Sequence, residues 1–390
     1  MNAKKMSTVL CYAMNLLSAV FITMISPTLP QISGDLSLSL SQMGMLLMCQ
    51  FVGFTVFVLL SGVVSDHIGK KKTLAGAMII LTVVSLLFSM IHEFTWLCIA
   101  LFFLGGGMGV LEMMSNALLS DVTLGNSVFH LNFMQVFFGL GAIAGPILAG
   151  MAYQNGVSWR VVYQVLGWIL ACVTVLFMVN RLPSLPKSEK IDIKGVRNLI
   201  VDKKFLLICL CMFLYTGSES SGWGWMSTFT DENLGFSTME SSLAVAVFWI
   251  SVTAGRLVIA AFIKKLDVRK LVMVLAVFAG IICALMSIVK EDILVWAVIV
   301  LLGLACSSQW GLILTYGTER YRRSTGTVFA MLVASGGIGM SIVPYLMGIM
   351  GDALGMRVSL FVPVVLFLLI TLSFYFVPRF TIRKENKTDI

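Results

Sequence analysis

The sequence predicts an all-α integral membrane protein with twelve transmembrane helices arranged as two pseudo-symmetric six-helix bundles. Three observations carry that prediction. Of 390 residues, 58% are hydrophobic and only 12% charged, which is more apolar surface than a water-soluble core can hide. Twelve stretches reach the roughly 20 apolar residues that a helix needs to cross about 30 Å of hydrocarbon, and a helix satisfies its own backbone there. Finally, the two halves resemble each other at an offset of about 198 residues, the mark of a duplicated unit. Leu104-Gly105 answers to Leu302-Gly303, Lys72 to Lys270, and Pro146-x-x-x-Gly150 to Pro344-x-x-x-Gly348.

The first apolar run follows Lys4 and Lys5 and meets no small-residue cleavage site before Pro27. It is therefore expected to be a retained span over 7–27 and not a removed signal. Spans over 42–64, 73–92, 95–119, 128–153 and 160–180 complete an N-terminal bundle, 1–181. Prolines and charges then stop the pattern, so 182–204 reads as a solvent-exposed connector. Spans over 205–226, 240–263, 270–288, 293–316, 325–349 and 357–378 make the C-terminal bundle, 205–378, with a tail at 379–390.

Orientation follows from the lysines and arginines, which gather in short cytoplasmic loops. With the N-terminus inside, the external loops hold only Arg160, Lys290 and Arg357. The cytoplasmic side takes Lys70, Lys71, Lys72, the connector, Lys264, Lys265, Arg269, Lys270, Arg320, Arg322, Arg323 and the tail from Arg379. Both termini are expected in the cytoplasm of a multi-pass cell-membrane protein.

The net charge of +8 is dealt out among these loops and forms no single basic face, so no nucleic-acid partner is expected. The eight cysteines lie in apolar runs without CxxC spacing, and His67, His92 and His130 sit near helix ends. Neither set suggests a metal site. No grouping of serine, histidine and acid and no phosphate-binding glycine loop occurs, so neither an enzyme nor a cofactor is expected.

The chemistry is expected where ionisable and polar groups interrupt lipid-compatible runs. Glu112 lies deep in the fourth span, and an intramembrane acid is a functional-site candidate by default. Gly105, Gly109, Glu112 and Asn116 share one helical face, with the glycines admitting a neighbouring helix. Glu219, four residues beyond Tyr215, is the second buried acid. Asn132 and Gln135 are three apart and suit hydroxyl groups, while Trp223, Trp225 and Trp310 offer stacking faces. Gln309 is the polar candidate of the tenth span. The candidate substrate lining is thus Asn116, Asn132, Gln135, Tyr215, Trp223, Gln309 and Trp310. Packing, interhelical hydrogen bonding and interface anchoring are the competing roles for these residues.

The loop after the second span, Gly62-Val-Val-Ser-Asp66-His-Ile-Gly69-Lys70-Lys71-Lys72, resembles the G-x-x-x-D-x-x-G-[RK]-[RK] signature of the major facilitator superfamily. The resemblance implies the two-bundle major facilitator fold, alternating access, and a cytoplasmic latch made by Gly62, Asp66, Gly69, Lys70 and Lys71. Within that superfamily three further stretches resemble the fucose, galactose and glucose proton symporters. They are Gly107-x-Gly109-x-Leu111-Glu112-x-x-x-Asn116, Leu131-Asn132-x-x-Gln135, and Tyr215-Thr216-Gly217-Ser218-Glu219 with Trp223 and Trp225. Trp249 to Arg256 is similar to that branch's eighth-helix end. This resemblance implies a monomer moving a sugar-like solute with protons, Glu112 as coupling acid, and Glu219 as its helper or as a hydroxyl acceptor. The first span carries Asn15 and no carboxylate, which departs from the fucose-specific pattern. The rival reading is a proton-coupled drug or metabolite antiporter. It rests on Gly141-x-x-x-Gly145-Pro146-x-x-Ala149-Gly150, although the glycine expected nine positions earlier is Asn132.

Overall fold

The structure is a computed structural model that describes residues 3–123, 126–180, 199–262, 266–321 and 325–377. Most of the expected connector, the tail, Lys264, Lys265, Arg322 and Arg323 lie outside the described residues. The N-terminal bundle consists of α1 (Ala3–Leu36), α2 (Leu40–Ile68), α3 (Lys70–Leu87), α4 (Phe94–Val122), α5 (Ser127–Gln154) and α6 (Trp159–Val179). The C-terminal bundle consists of α7 (Lys203–Gly224), α8 (Met226–Leu234), α9 (Thr238–Phe262), α10 (Val268–Ile288), α11 (Asp292–Cys306), α12 (Gln309–Arg320), α13 (Thr325–Leu354), α14 (Met356–Ser359) and α15 (Phe361–Phe376). These elements supply 12 spans long and apolar enough to cross a membrane.

Several spans differ in extent or continuity from the sequence reading, the twelfth among them, which is divided at Leu360 between α14 and α15. α1 runs through Pro27 and Pro30 to Leu36. Each proline forfeits one ladder bond, but side chains tie the flanking turns. Thr28 Oγ1 donates to Met24 O at 2.7 Å and pairs with Tyr153 Oη at 2.7 Å. The seventh span turns at Trp225 and continues as α8. The tenth is interrupted at Ser307–Ser308, between α11 and α12.

The 198-residue repeat reappears as repeated contacts. Ser39 and Gln42 form a capping box at the start of α2, and Ser237 and Glu240 make the same exchange at α9. Lys71 Nζ donates to Met178 O and Asn180 O at the end of α6, as Arg269 Nε does to Phe374 O at the end of α15. Arg160 Nε donates to Ile91 O and Arg357 Nη1 to Val289 O. Gly105 meets the Gln50 backbone just as Gly303 meets that of Phe248. In each case, glycine lets two helices of one bundle touch through their backbones.

The bundles close against each other at the face opposite the termini. There Asp352 accepts from the amides of Leu40 and Ser41, Ser227 N donates to Ser26 Oγ, and Gly150 packs on Ser242. Contact continues to mid-depth, where Gly139 meets Thr253 and Gly337 meets Thr55. Toward the face bearing the termini the bundles part. Val63, Val64 and Asp66 on α2 and Phe329 on α13 are exposed, and nothing lies within 4 Å of a Cβ built at Gly62. The cleft therefore opens on the terminal face.

Candidate functional site

The break in the tenth span organises the site. A helix end leaves carbonyls without intrahelical partners, and here side chains from three elements take them. Tyr215 Oη on α7 donates to Cys306 O at 2.6 Å, Arg256 Nε on α9 donates to Ser307 O at 2.9 Å, and Gln309 Nε2 donates to Ala305 O at 3.0 Å. Gly255 allows this approach, since a Cβ there would lie 2.6 Å from Ser307 Cβ.

Several buried polar atoms have no hydrogen-bond partner. They include Glu219 Oε1, Gln309 Oε1, Ser307 Oγ and Trp249 Nε1 on the C-terminal side, and Gln50 Nε2 on the N-terminal side. Buried polar groups are otherwise almost always paired, so these open donors and acceptors make this group the candidate site. Aromatic rings join them. Trp223 and Trp249 are 6.0 Å apart between centroids, Phe51 of α2 meets Trp223 edge-on at 5.8 Å, and Phe138 of α5 meets Trp249 at 6.0 Å. The aromatic group thus spans both bundles.

Glu112 is half-buried on α4. Ten residues separate it from the end of that helix, a rise of about 15 Å. Gly105 and Gly109 on the same face pack against α2, at Gln50 and Val58. The Asn116 side chain donates to Glu112 O at 2.7 Å, a turn back along its own helix. Asn132 and Gln135 are exposed. They lie seven and four residues before Gly139, which packs on Thr253 across the interface. Helical spacing therefore sets both on the α5 face that looks toward α9. Trp310 is half-buried against the core, and Trp225 is buried with Nε1 donating to Pro344 O at 3.0 Å.

The residues of the loop signature lie apart from this group, on the terminal face. Asp66 is exposed, and Gly69 adopts φ +88°, which suits glycine. Lys70 Nζ pairs with Asp121 Oδ2 at 2.5 Å, and Lys71 holds the end of α6, so both lysines bind within their own bundle. No group of three or more histidines, cysteines or acids that would suit a metal occurs among the described residues.

Gln50 and Ser307 had no place in the sequence reading, and Trp249 and Arg256 entered it only as the ends of a stretch similar to the symporters' eighth helix, with no role of their own. The signal for Arg256 was available: it is an arginine inside the apolar run Val252–Phe262. Among the described residues neither Glu112 nor Glu219 is in ion-pair contact with it.

Comparison with known proteins supports the architecture. The family model described as Major Facilitator Superfamily matches residues 11–334 and 208–389. A TsgA homolog from Buchnera aphidicola is 22% identical over 326 residues, covering 83% of this chain and 82% of that protein. The glucose/mannose transporter GlcP of Bacillus subtilis is 22% identical over 312 residues, covering 77% and 76%. Among solved structures, a bacterial homolog of the human lysosomal transporter Spinster, inward-facing and unoccupied, superposes with a TM-score of 0.81 at 14% identity and covers 97% of each chain.

Proposed function

The chain belongs to the Major Facilitator Superfamily, and from that premise we propose that it carries a small neutral, sugar-like solute together with protons by alternating access. The observation that carries this reading is the set of unpartnered polar atoms, which includes Trp249 Nε1 and Glu219 Oε1 of a membrane-embedded acid, together with the neighbouring ring of Trp223. Hydroxyls of a sugar satisfy both acceptors, such as Gln309 Oε1 and Glu219 Oε1, and donors, such as Trp249 Nε1. The indole faces suit its apolar side. Asn132 and Gln135 complete the lining from the N-terminal bundle, and Asn116, Tyr215 and Trp310 border it. The name of the B. subtilis glucose/mannose relative agrees with this substrate class.

In this scheme the lysine- and arginine-rich terminal face is cytoplasmic, so the structure is the inward-open state. Glu112 carries the proton and Glu219 assists or accepts a hydroxyl. An ionised carboxylate opposes closure of the cleft around it because it must lose its water. Protonation removes that cost, and the bundles rock once solute and proton are both aboard. In the outward-open state the terminal-face ends of α2 and α13 come together, and Gly62, Asp66 and Gly69 with Lys70 and Lys71 form the latch there.

The test uses protein in liposomes with a pH-sensitive dye inside and neutral hexoses added one at a time. One sugar should acidify the lumen, and Glu112→Gln should abolish that response while still exchanging labelled sugar. Full proton-driven accumulation by Glu112→Gln would remove Glu112 from the coupling role. Silence toward every sugar, with alkalinisation of an acidic lumen by lipophilic cations, would establish antiport instead.

A further inference from the structure

We propose that a groove between α3 and α4, on the lipid-facing flank of the N-terminal bundle, binds a phospholipid with a primary-amine headgroup, and that Glu93 selects that headgroup. The groove measures about 550 Å³. Val84 and Leu87 near the end of α3 form one wall, and Trp96, Ile99 and Phe103 form the other. Those three recur at spacings of three and four, which sets them on one face of α4, and all are exposed although apolar. Both helices are membrane spans, so lipid chains and not water cover this face. Ala100, the smallest side chain of the lining, leaves the recess. From Trp96 to Phe103 the helix rises about 10 Å, room for part of one acyl chain.

The mouth of the groove is polar. His92 and Glu93, exposed in the loop that joins the two helices at the face opposite the termini, belong to its lining. Glu93 is the N-cap of α4 but makes no side-chain cap bond, and neither ion pair among the described residues includes it. Arg160 reaches this loop at Ile91 O, but its Nη1 is paired with Asp35. The internal repeat shows what Glu93 lacks: Ile91-His92-Glu93 answers to Val289-Lys290-Glu291, so the acid of the C-terminal bundle has a lysine beside it. A lipid ammonium supplies that cation here, with three N–H donors for the carboxylate. A choline headgroup has no N–H to donate, and an anionic headgroup is repelled. The phosphate behind the ammonium meets the first amides of α4, where a helix N-terminus favours anions. This site is independent of the solute carried.

Brominated acyl chains quench indole fluorescence on contact, and Trp96 lines the groove. The protein is placed in phosphatidylcholine vesicles containing a small fraction of brominated lipid whose headgroup is ethanolamine, choline or glycerol. The Trp96 signal is the difference between the unmodified protein and Trp96→Phe. The ethanolamine lipid should quench Trp96 at a mole fraction on the order of fivefold lower than the other two, the effect of one charge pair at a membrane surface. Glu93→Gln should remove that preference, and Glu93→Lys should transfer it to the glycerol lipid. Glu93 is exposed, so neither change disturbs packing. Equal quenching by all three headgroups, or a preference for ethanolamine that survives Glu93→Gln, would overturn the inference.

Discussion

Removing the Asp352 carboxylate should open the face opposite the termini. Asp352 lies at the end of α13, where a negative charge works against the helix dipole. It finds compensation in the other bundle: Oδ1 accepts from Leu40 N at 2.8 Å and Oδ2 from Ser41 N at 2.9 Å, the first amides of α2. Backbone proximity makes this possible, since a Cβ at Gly351 would sit 2.8 Å from Leu40 Cδ1, and one at Gly44 would sit 3.0 Å from Pro344 O. Losing a helix-capping side chain costs about 0.5–2 kcal/mol. Hydrogen bonds to charged groups contribute about 1.5–3 kcal/mol, and solvent screening at this exposed position lowers the gain. A value of about 1.4 kcal/mol corresponds to a roughly tenfold shift in the ratio of closed to open. Spin labels at Val157 and Lys290, exposed on the loops of opposite bundles at this face, would report it after replacement of the exposed Cys172. Asp352→Ala should enlarge the long-distance population about tenfold, with Asp352→Asn intermediate because it keeps one acceptor. An unchanged distance distribution in the alanine variant would refute the view that this contact holds the bundles together.

Two further outcomes test the packing and the connector end. Gly105→Ala, whose Cβ would collide with the Gln50 carbonyl, should destabilise the protein by about 1–3 kcal/mol. Gly76→Ala on α3, with nothing within 4 Å, should be neutral or stabilising by up to about 1 kcal/mol; thermal melts in detergent that rank the two equally would contradict this packing. Asp202 caps α7 through the amides of Lys204 and Phe205 and accepts from Tyr321 Oη at 2.7 Å. Burial raises its pKa, but these bonds outweigh burial and hold it below the ordinary carboxylate value. A depressed native pKa contributes stability that is present above the unfolded value, near pH 4, and is lost as the pH falls through the native one. Asp202→Asn should therefore flatten the acid limb of a plot of melting temperature against pH, and an unaltered limb would exclude this group.

The fold was legible because its causes are local and periodic: span length, punctuation by charge and proline, and a repeat that reappears as paired contacts such as Lys71 with Arg269 and Gly105 with Gly303. Boundaries were less so. Pro27 ends a helix when the next turn stands alone, whereas here the hydroxyls of Thr28 and Tyr153 support it. Glu112 and Glu219 stood out as candidates in the sequence, since an acid in an apolar run is a functional-site candidate by default. Arg256 obeys the same rule, but it stands six residues before the end of α9 with Lys264 and Lys265 just beyond. In sequence that pattern is a helix-end cation reaching outward to the interface. Its inward role depends on a carbonyl 51 residues away. The break that exposes that carbonyl contains Ser307 and Ser308 and no proline. It persists because Tyr215, Arg256 and Gln309 take its carbonyls. The acids could be picked out one residue at a time, whereas the group that holds these carbonyls exists only once three helices have met.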